Sequence, residues 1–262
     1  MVDYIKAKKY FGQNFLTDTT IVEKIIQSMP DTRDLSLVEI GPGLGDLTKA
    51  LLGRYALLAY EVDEDLYEHL KIAFKEEIKT GRLGLVFGDV MEHWQNKSLK
   101  NSPYWIVANI PYYITTPIIH KAYEDTNCVG MMLMMQKEVA LKLTATSSTN
   151  KYSSLSVLAS VLSDARILFD VPKEAFNPSP KVISSVVKIE KKREFKDTFC
   201  GFKAYLSKAF KSPGKMLKKN LLNYYDQERL FEVFGRFKID TNIRPHELAA
   251  ELHFRLFNSL AD

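Results

Sequence analysis

Cysteine is scarce: among 262 residues only Cys128 and Cys200 occur. Two cysteines cannot build a disulfide framework, so a small stapled extracellular scaffold is excluded and a reducing, cytoplasmic setting is expected. The five histidines are scattered, with no Cys/His ligand spacing, so no metal site is expected. No apolar run is long enough to span a bilayer, and Met1-Val2-Asp3-Tyr4-Ile5-Lys6 lacks the apolar stretch of a secretion signal, so no membrane association is expected. Charge is not extreme either: 36 basic against 32 acidic side chains leave +4, so where the charge sits matters more than its sum.

What is present is an alternation of strand and helix patterns. Apolar runs at residues 35–40, 56–60, 83–87, 105–108 and 129–135, and the alternating segment 184–189, read as strands. Helical spacing separates several of them: Ile21, Val22, Ile25 and Ile26 after a Thr17 or Asp18 cap, then Leu47, Leu51 and Leu52, then Leu66, Leu70 and Phe74. Such alternation implies a doubly wound α/β sheet, and ligands of such sheets bind beyond the carboxyl ends of the strands.

Three strand ends carry suggestive groups. The first runs into Gly41-Pro42-Gly43-Leu44-Gly45-Asp46, glycines that let backbone approach a ligand at a helix start. A dinucleotide fingerprint places its third glycine where Asp46 stands, whereas Glu39 completes the E-x-G-x-G-x-G of an S-adenosylmethionine loop; a plain βα turn is the alternative. Glu61, at the second strand end, suits the ribose hydroxyls of an adenosyl ligand. Asp89, at the third, suits an adenine amino group, with a simple turn aspartate as the alternative.

The fourth strand delivers Asn109-Ile110-Pro111-Tyr112. Asn109 offers a carbonyl acceptor and an amide donor. Pro111 fixes its own φ and holds Ile110 extended, aiming the Ile110 carbonyl outward. Two acceptors beside an aromatic ring suit the exocyclic amine of a flat base, with Tyr112 stacked on it. Hydrogen bonds favouring a pyramidal nitrogen restore nucleophilicity to an amine whose lone pair is otherwise delocalised. Asn and Pro are also ordinary turn residues, and Thr115-Thr116-Pro117 read as a helix start capped by threonine.

With Phe11-Gly12-Gln13-Asn14-Phe15-Leu16, the glycine loop, Glu61-Val62-Asp63 and Asn109-Ile110-Pro111-Tyr112, the chain resembles the ribosomal RNA adenine N6-dimethyltransferase family, the dimethyladenosine transferases. The likeness runs from about residue 6 to 190, including residues 133–138, 152–157 and 176–187. It implies a Rossmann-like, seven-stranded SAM-dependent methyltransferase sheet with one antiparallel strand, over residues 1–192. A smaller helical RNA-binding domain would follow over 193–262. The cofactor S-adenosylmethionine would lie with its methionine end at Gly41 and Gly43, ribose at Glu61 and adenine at Asp89 and Val90. Asn14 and Leu16 would close over it, and Asn109 would stand between cofactor and target. The implied reaction dimethylates two adjacent adenines in the 3′-terminal hairpin of small-subunit (16S) rRNA, in an immature 30S particle, by a monomeric enzyme. The competing readings are a 23S rRNA methylase conferring antibiotic resistance, a DNA adenine methylase, and an assembly factor whose catalysis is dispensable.

Other segments are less specific. Phe176, between prolines, is either a wall for the target base or a packed aromatic. Ser153 stands where the family usually has glycine. Six lysines and no acid lie between Lys203 and Lys219, a solvated face or a phosphate-binding one. Lys211-Ser212-Pro213-Gly214-Lys215 replaces the paired arginines of related enzymes, and its Pro-Gly pair should interrupt a helix.

Overall fold

A computed structural model describes residues 7–8, 12–30, 36–95, 98–192 and 198–261. Lys6, Lys9 and Phe11 of the basic arm, and Arg193 at the expected boundary, lie outside the described residues.

Seven strands form the main sheet: β1 Ser36–Ile40, β2 Leu57–Glu61, β3 Leu83–Phe87, β4 Tyr104–Asn109, β5 Cys128–Gln136, β6 Ser163–Val171 and β7 Ser184–Lys191, in the spatial order β3-β2-β1-β4-β5-β7-β6. The first five pair in parallel, and β7 runs antiparallel to β5. This is the expected Rossmann-like plan. β4 and β5 are buried almost throughout, which explains their unbroken apolar sequences. β6 was not legible as a strand. It forms the sheet edge, and Asp164, Arg166 and Asp170 interrupt its apolar residues, as suits an edge.

The chain order reverses across β1. The connection after β1 leads to β2 on one side, while β4 lies on the other, with Ile40 beside Ala108. The crevice of a doubly wound sheet opens at such a reversal. It therefore falls between Gly41 and Asn109. Helix Thr19–Ser28 packs Ile21, Val22, Ile25 and Ile26 inward, and Asp18 caps it by accepting from the Thr20 and Ile21 N–H groups. Just before this helix, Phe15–Leu16 forms a short antiparallel ladder with Phe176–Asn177, 160 residues on.

Contacts gather the chain into two units, residues 1–140 with 166–191, and 141–165 with 192–262. Segment 141–165, which the sequence reading grouped with the sheet, thus packs with the C-terminal helices. In that unit helix Ser154–Leu162 is capped reciprocally by Ser153 and Ser156. Ser153 has extended backbone, φ −150° and ψ 177°, so no glycine is required there. Helices Phe199–Ala209, Leu217–Leu221, Gln227–Arg236 and Ala250–Ala261 complete it. The break between the first two falls at Pro213-Gly214, as expected. Among the described residues no helix is long and apolar enough to cross a membrane.

Candidate active site

A cavity opens at the carboxyl ends of β1, β2, β3 and β4, within the first unit. Asn14, Leu16, Gly41, Gly43, Glu61, Asp89, Val90, Asn109, Ile110 and Pro111 all line it.

The glycine loop shapes one wall. Gly41 has φ +68°, and a Cβ there would meet no heavy atom within 4 Å, so the backbone faces open space that a side chain would fill. Gly45 is needed for packing instead: its φ is +91° and a Cβ would stand 2.6 Å from the Phe74 ring. Beneath the loop Glu39 is 1% exposed and accepts from Thr48 Oγ1 at 2.8 Å. Burial, with a smaller push from Glu61, raises its pKa to about 8.

At the end of β2, Glu61 Oε2 accepts from the Gly43 N–H at 3.1 Å and Oε1 from the Asp63 N–H at 2.9 Å. Burial raises its pKa, and those backbone donors oppose the rise. Its carboxylate thus braces the glycine loop, and its remaining lone pairs can accept from a ligand. Two residues on, Asp63 ties down the N-terminal strap. Lys8 Nζ reaches Asp63 Oδ1 and Asp65 Oδ2, both at 2.6 Å, and Gln13 Nε2 donates to Asp63 Oδ2 at 2.8 Å. Burial would raise the Asp63 pKa, but the bonds from Lys8 and Gln13 prevail and hold it below the ordinary value. Neither Gln13 nor Asp63 announces this pairing in the sequence. Nothing local signals a bond between residues 50 positions apart.

At the end of β3, Asp89 is exposed and caps helix Val90–His93 through Met91 N–H, while Val90 is buried against the cavity. Tyr113, a further lining residue not anticipated, is 61% exposed. Partial desolvation, then the nearby Asp89 charge, raise its pKa.

Asn109 ends β4. Its Nδ2 donates to the Asn14 carbonyl at 2.9 Å, which leaves Oδ1 to accept. The Ile110 N–H donates to the Met134 carbonyl at 3.2 Å and its side chain is buried, which anchors the turn to β5. Pro111 has φ −54° and ψ 132°. Residues 112–114 form a 3-10 turn; the Tyr112 side chain lies outside what the structure describes. The following helix, Thr115–Glu124, departs from expectation. Ile114 is its N-cap and no side chain caps it, because Thr115 is already helical and Pro117 stands in its third position. The Thr115 hydroxyl is buried and has no hydrogen-bond partner among the described residues.

Phe176 is not brought to the cavity. It is 5% exposed, paired with Leu16 in the short ladder and packed in the apolar cluster beside it, so the packed reading holds.

In the second unit, Lys208 Nζ lies 5.2 and 5.0 Å from the Tyr224 and Tyr225 ring centroids. Lys211 Nζ lies 5.5 Å from the Tyr224 centroid and donates to its hydroxyl at 3.0 Å. That is a basic surface with aromatic faces, one of them, Tyr224, 41% exposed.

A model of the ribosomal RNA adenine dimethylase family matches residues 4–262. The ribosomal RNA small subunit methyltransferase A of Campylobacter concisus is 45% identical over 97% of this chain and 94% of its own. That of Aliarcobacter butzleri is 46% identical over 99% and 98%. A dimethyladenosine transferase from Plasmodium falciparum superposes with a TM-score of 0.81 at 24% identity, over 94% of this chain and 98% of its own. The 23S rRNA methyltransferase ErmE superposes with a TM-score of 0.73 at 24% identity, over 95% and 100%. At such identity the two structures speak for the fold alone.

Proposed function

The chain belongs to the ribosomal RNA adenine dimethylase family, and from that premise we propose that it transfers methyl groups from S-adenosylmethionine to the N6 amines of two adjacent adenines in the 3′-terminal hairpin of small-subunit rRNA. The observation that carries this reading is the juxtaposition of Gly41 and Asn109 across the β1–β4 reversal. A backbone open to a cofactor stands beside an amide whose oxygen is left to accept.

The cavity fits an adenosyl cofactor. Gly41 leaves room where a side chain would intrude, Glu61 offers acceptors to ribose hydroxyls, and Asp89 and Val90 stand where an adenine would lie. When bound, S-adenosylmethionine supplies an electrophilic methyl on a sulfonium centre. The protein's part is positioning. Asn109 Oδ1 and the Ile110 carbonyl accept the two N–H groups of the target amine. Those bonds hold the nitrogen pyramidal, with its lone pair directed along the line of attack. Tyr112 stacks on the base, which must be out of its helix to reach the site. After transfer the extra proton leaves to water, so no general base is required. One methylation leaves one N–H, which one of the two acceptors holds during the second transfer.

The second unit supplies the phosphate-binding surface, through Lys208, Lys211 and the tyrosine faces beside them. The enzyme acts in the cytoplasm, as a monomer, on an immature 30S particle. Relatives at 45–46% identity carry the small-subunit name, which favours that substrate over the 23S rRNA of the more distant ErmE. The test is transfer of labelled methyl to undermethylated small subunits, with 23S rRNA and duplex DNA in parallel, followed by nucleoside analysis. The expected product is N6,N6-dimethyladenosine from small subunits alone. Label confined to 23S rRNA or DNA would refute the assignment.

A further inference from the structure

We propose that the strap of residues 12–14 fixes the orientation of the Asn109 amide, and that Gln13 is the positioning residue linking that orientation to the ribose corner of the cavity. This role rests on the reading of Asn109 as the acceptor of the target amine.

A primary amide has two orientations, related by a half-turn, that exchange a donor for an acceptor. Only one presents oxygen to an incoming amine. Asn109 is the last residue of β4, so the strand does not continue beyond it to hold the side chain in place. The choice falls to the Asn14 carbonyl, which accepts from Asn109 Nδ2 at 2.9 Å. In the reversed orientation two oxygens would face each other in a half-buried setting, which is unfavourable.

The Asn14 carbonyl is itself held in place. Asn14 Nδ2 donates to the Gly12 carbonyl at 3.1 Å, which folds the strap onto itself. Gly12 lies beside the target motif: a Cβ there would stand 3.7 Å from the Tyr113 ring and 3.8 Å from Pro111 Cβ. Between these residues Gln13 turns the other way. Its Oε1 accepts from the Lys8 N–H at 2.7 Å and its Nε2 donates to Asp63 at 2.8 Å. The Asp63 N–H in turn donates to Glu61 Oε1 at 2.9 Å, and Glu61 Oε2 accepts from Gly43. One continuous set of bonds therefore runs from the glycine loop, through Glu61, Asp63 and Gln13, to the strap and Asn109. The residue read as receiving the ribose, Glu61, is bonded to the residue that braces the strap, Asp63. Base recognition is thereby linked to cofactor recognition through Glu61, Asp63 and Gln13.

The test uses the full chain with S-adenosylmethionine and undermethylated small subunits. Gln13→Ala is expected to lower kcat at saturating cofactor and RNA about tenfold, the scale of a slightly misplaced reacting group, with a smaller change in KM for RNA. It should also move the side-chain amide resonance of Asn109, identified by its loss in Asn109→Ala. Gln13→Asn, which keeps the amide but shortens its reach, should fall between parent and Gln13→Ala in both readings. An unchanged kcat accompanied only by weaker cofactor binding would overturn the proposal and leave the strap a simple cover. An unmoved Asn109 resonance would overturn it too. Failure of the functional reading looks different: the unsubstituted protein itself would then methylate no small subunits, and the proposal would fall with it.

Discussion

The two units treat buried polar groups in opposite ways. At the strand ends of the first, Glu39, Glu61 and Asp63 are all nearly inaccessible carboxylates, held by Thr48, by backbone N–H groups and by the strap around a cavity. In the second, the fully buried His253 is satisfied by a neighbouring helix and by the turn before its own, near the Tyr205 hydroxyl at 3.1 Å and the Pro245 carbonyl at 2.8 Å. The first unit gathers three buried carboxylates beside the cavity; the second uses His253 to tie a turn and two helices together and leaves lysines on the surface. A binding site is thus distinguished less by polarity than by acceptors left over once the internal bonds are counted.

The sharpest way to break that contrast is to remove the left-over acceptor. Asn109→Ala should reduce methyl transfer about a hundredfold to a thousandfold, the scale of losing one preorganised hydrogen-bonding group. Its melting temperature and cofactor affinity, read by calorimetry, should stay close to the parent's, since among the described residues Asn109 makes one side-chain bond, to the strap, and none to the glycine loop. Near-normal transfer would place the chemistry elsewhere.

A smaller effect is expected from the second unit. Lys208→Ala with Lys211→Ala should weaken binding to small-subunit RNA, and should reduce the slope of log affinity against log salt by roughly 0.7 to 0.9 for each lysine lost. The methyl-transfer rate at saturating RNA should hold. An unchanged salt slope would make the lysine and tyrosine cluster a solvated face and nothing more.

Much of this was legible in the chain because both ends of the problem are local. Parallel strands buried on both faces give unbroken apolar runs, as in β4 and β5, and the glycine loop and Asn109 each follow such a run directly. What escaped was long-range or at an edge. β6 alternates apolar with charged residues because it has one free side, and so did not read as a strand. Gln13 gains its meaning from Asp63, and Phe176 from Leu16, partners that no window of neighbouring residues contains. The threonine cap was misplaced for a different reason. The 3-10 turn of residues 112–114 leads straight into the helix, so Thr115 is already inside it. Segment 141–165 carries nothing in its composition that tells which set of helices it joins.

The gentlest probe is pH, because burial shifts Glu39 of the first unit and His253 of the second in opposite directions. Burial raises Glu39 from an ordinary 4.5 to about 8, so the folded state keeps a proton that the unfolded state has released. Its contribution is fully present below about 4.5 and is lost as pH rises toward 8. Burial lowers His253 from 6.5 to about 4, so the unfolded state takes a proton that the folded state refuses. That contribution is present above about 6.5 and is lost as pH falls toward 4. For each group the slope approaches about 1.4 kcal/mol per pH unit inside its window. Urea melts across pH should therefore show Glu39→Gln removing a fall in stability between about pH 4.5 and 8, and His253→Gln removing a rise between about pH 4 and 6.5. Reading slopes rather than offsets separates titration from any change in packing. If both substitutions changed the slope in the same direction, the opposition between Glu39 and His253 would fail.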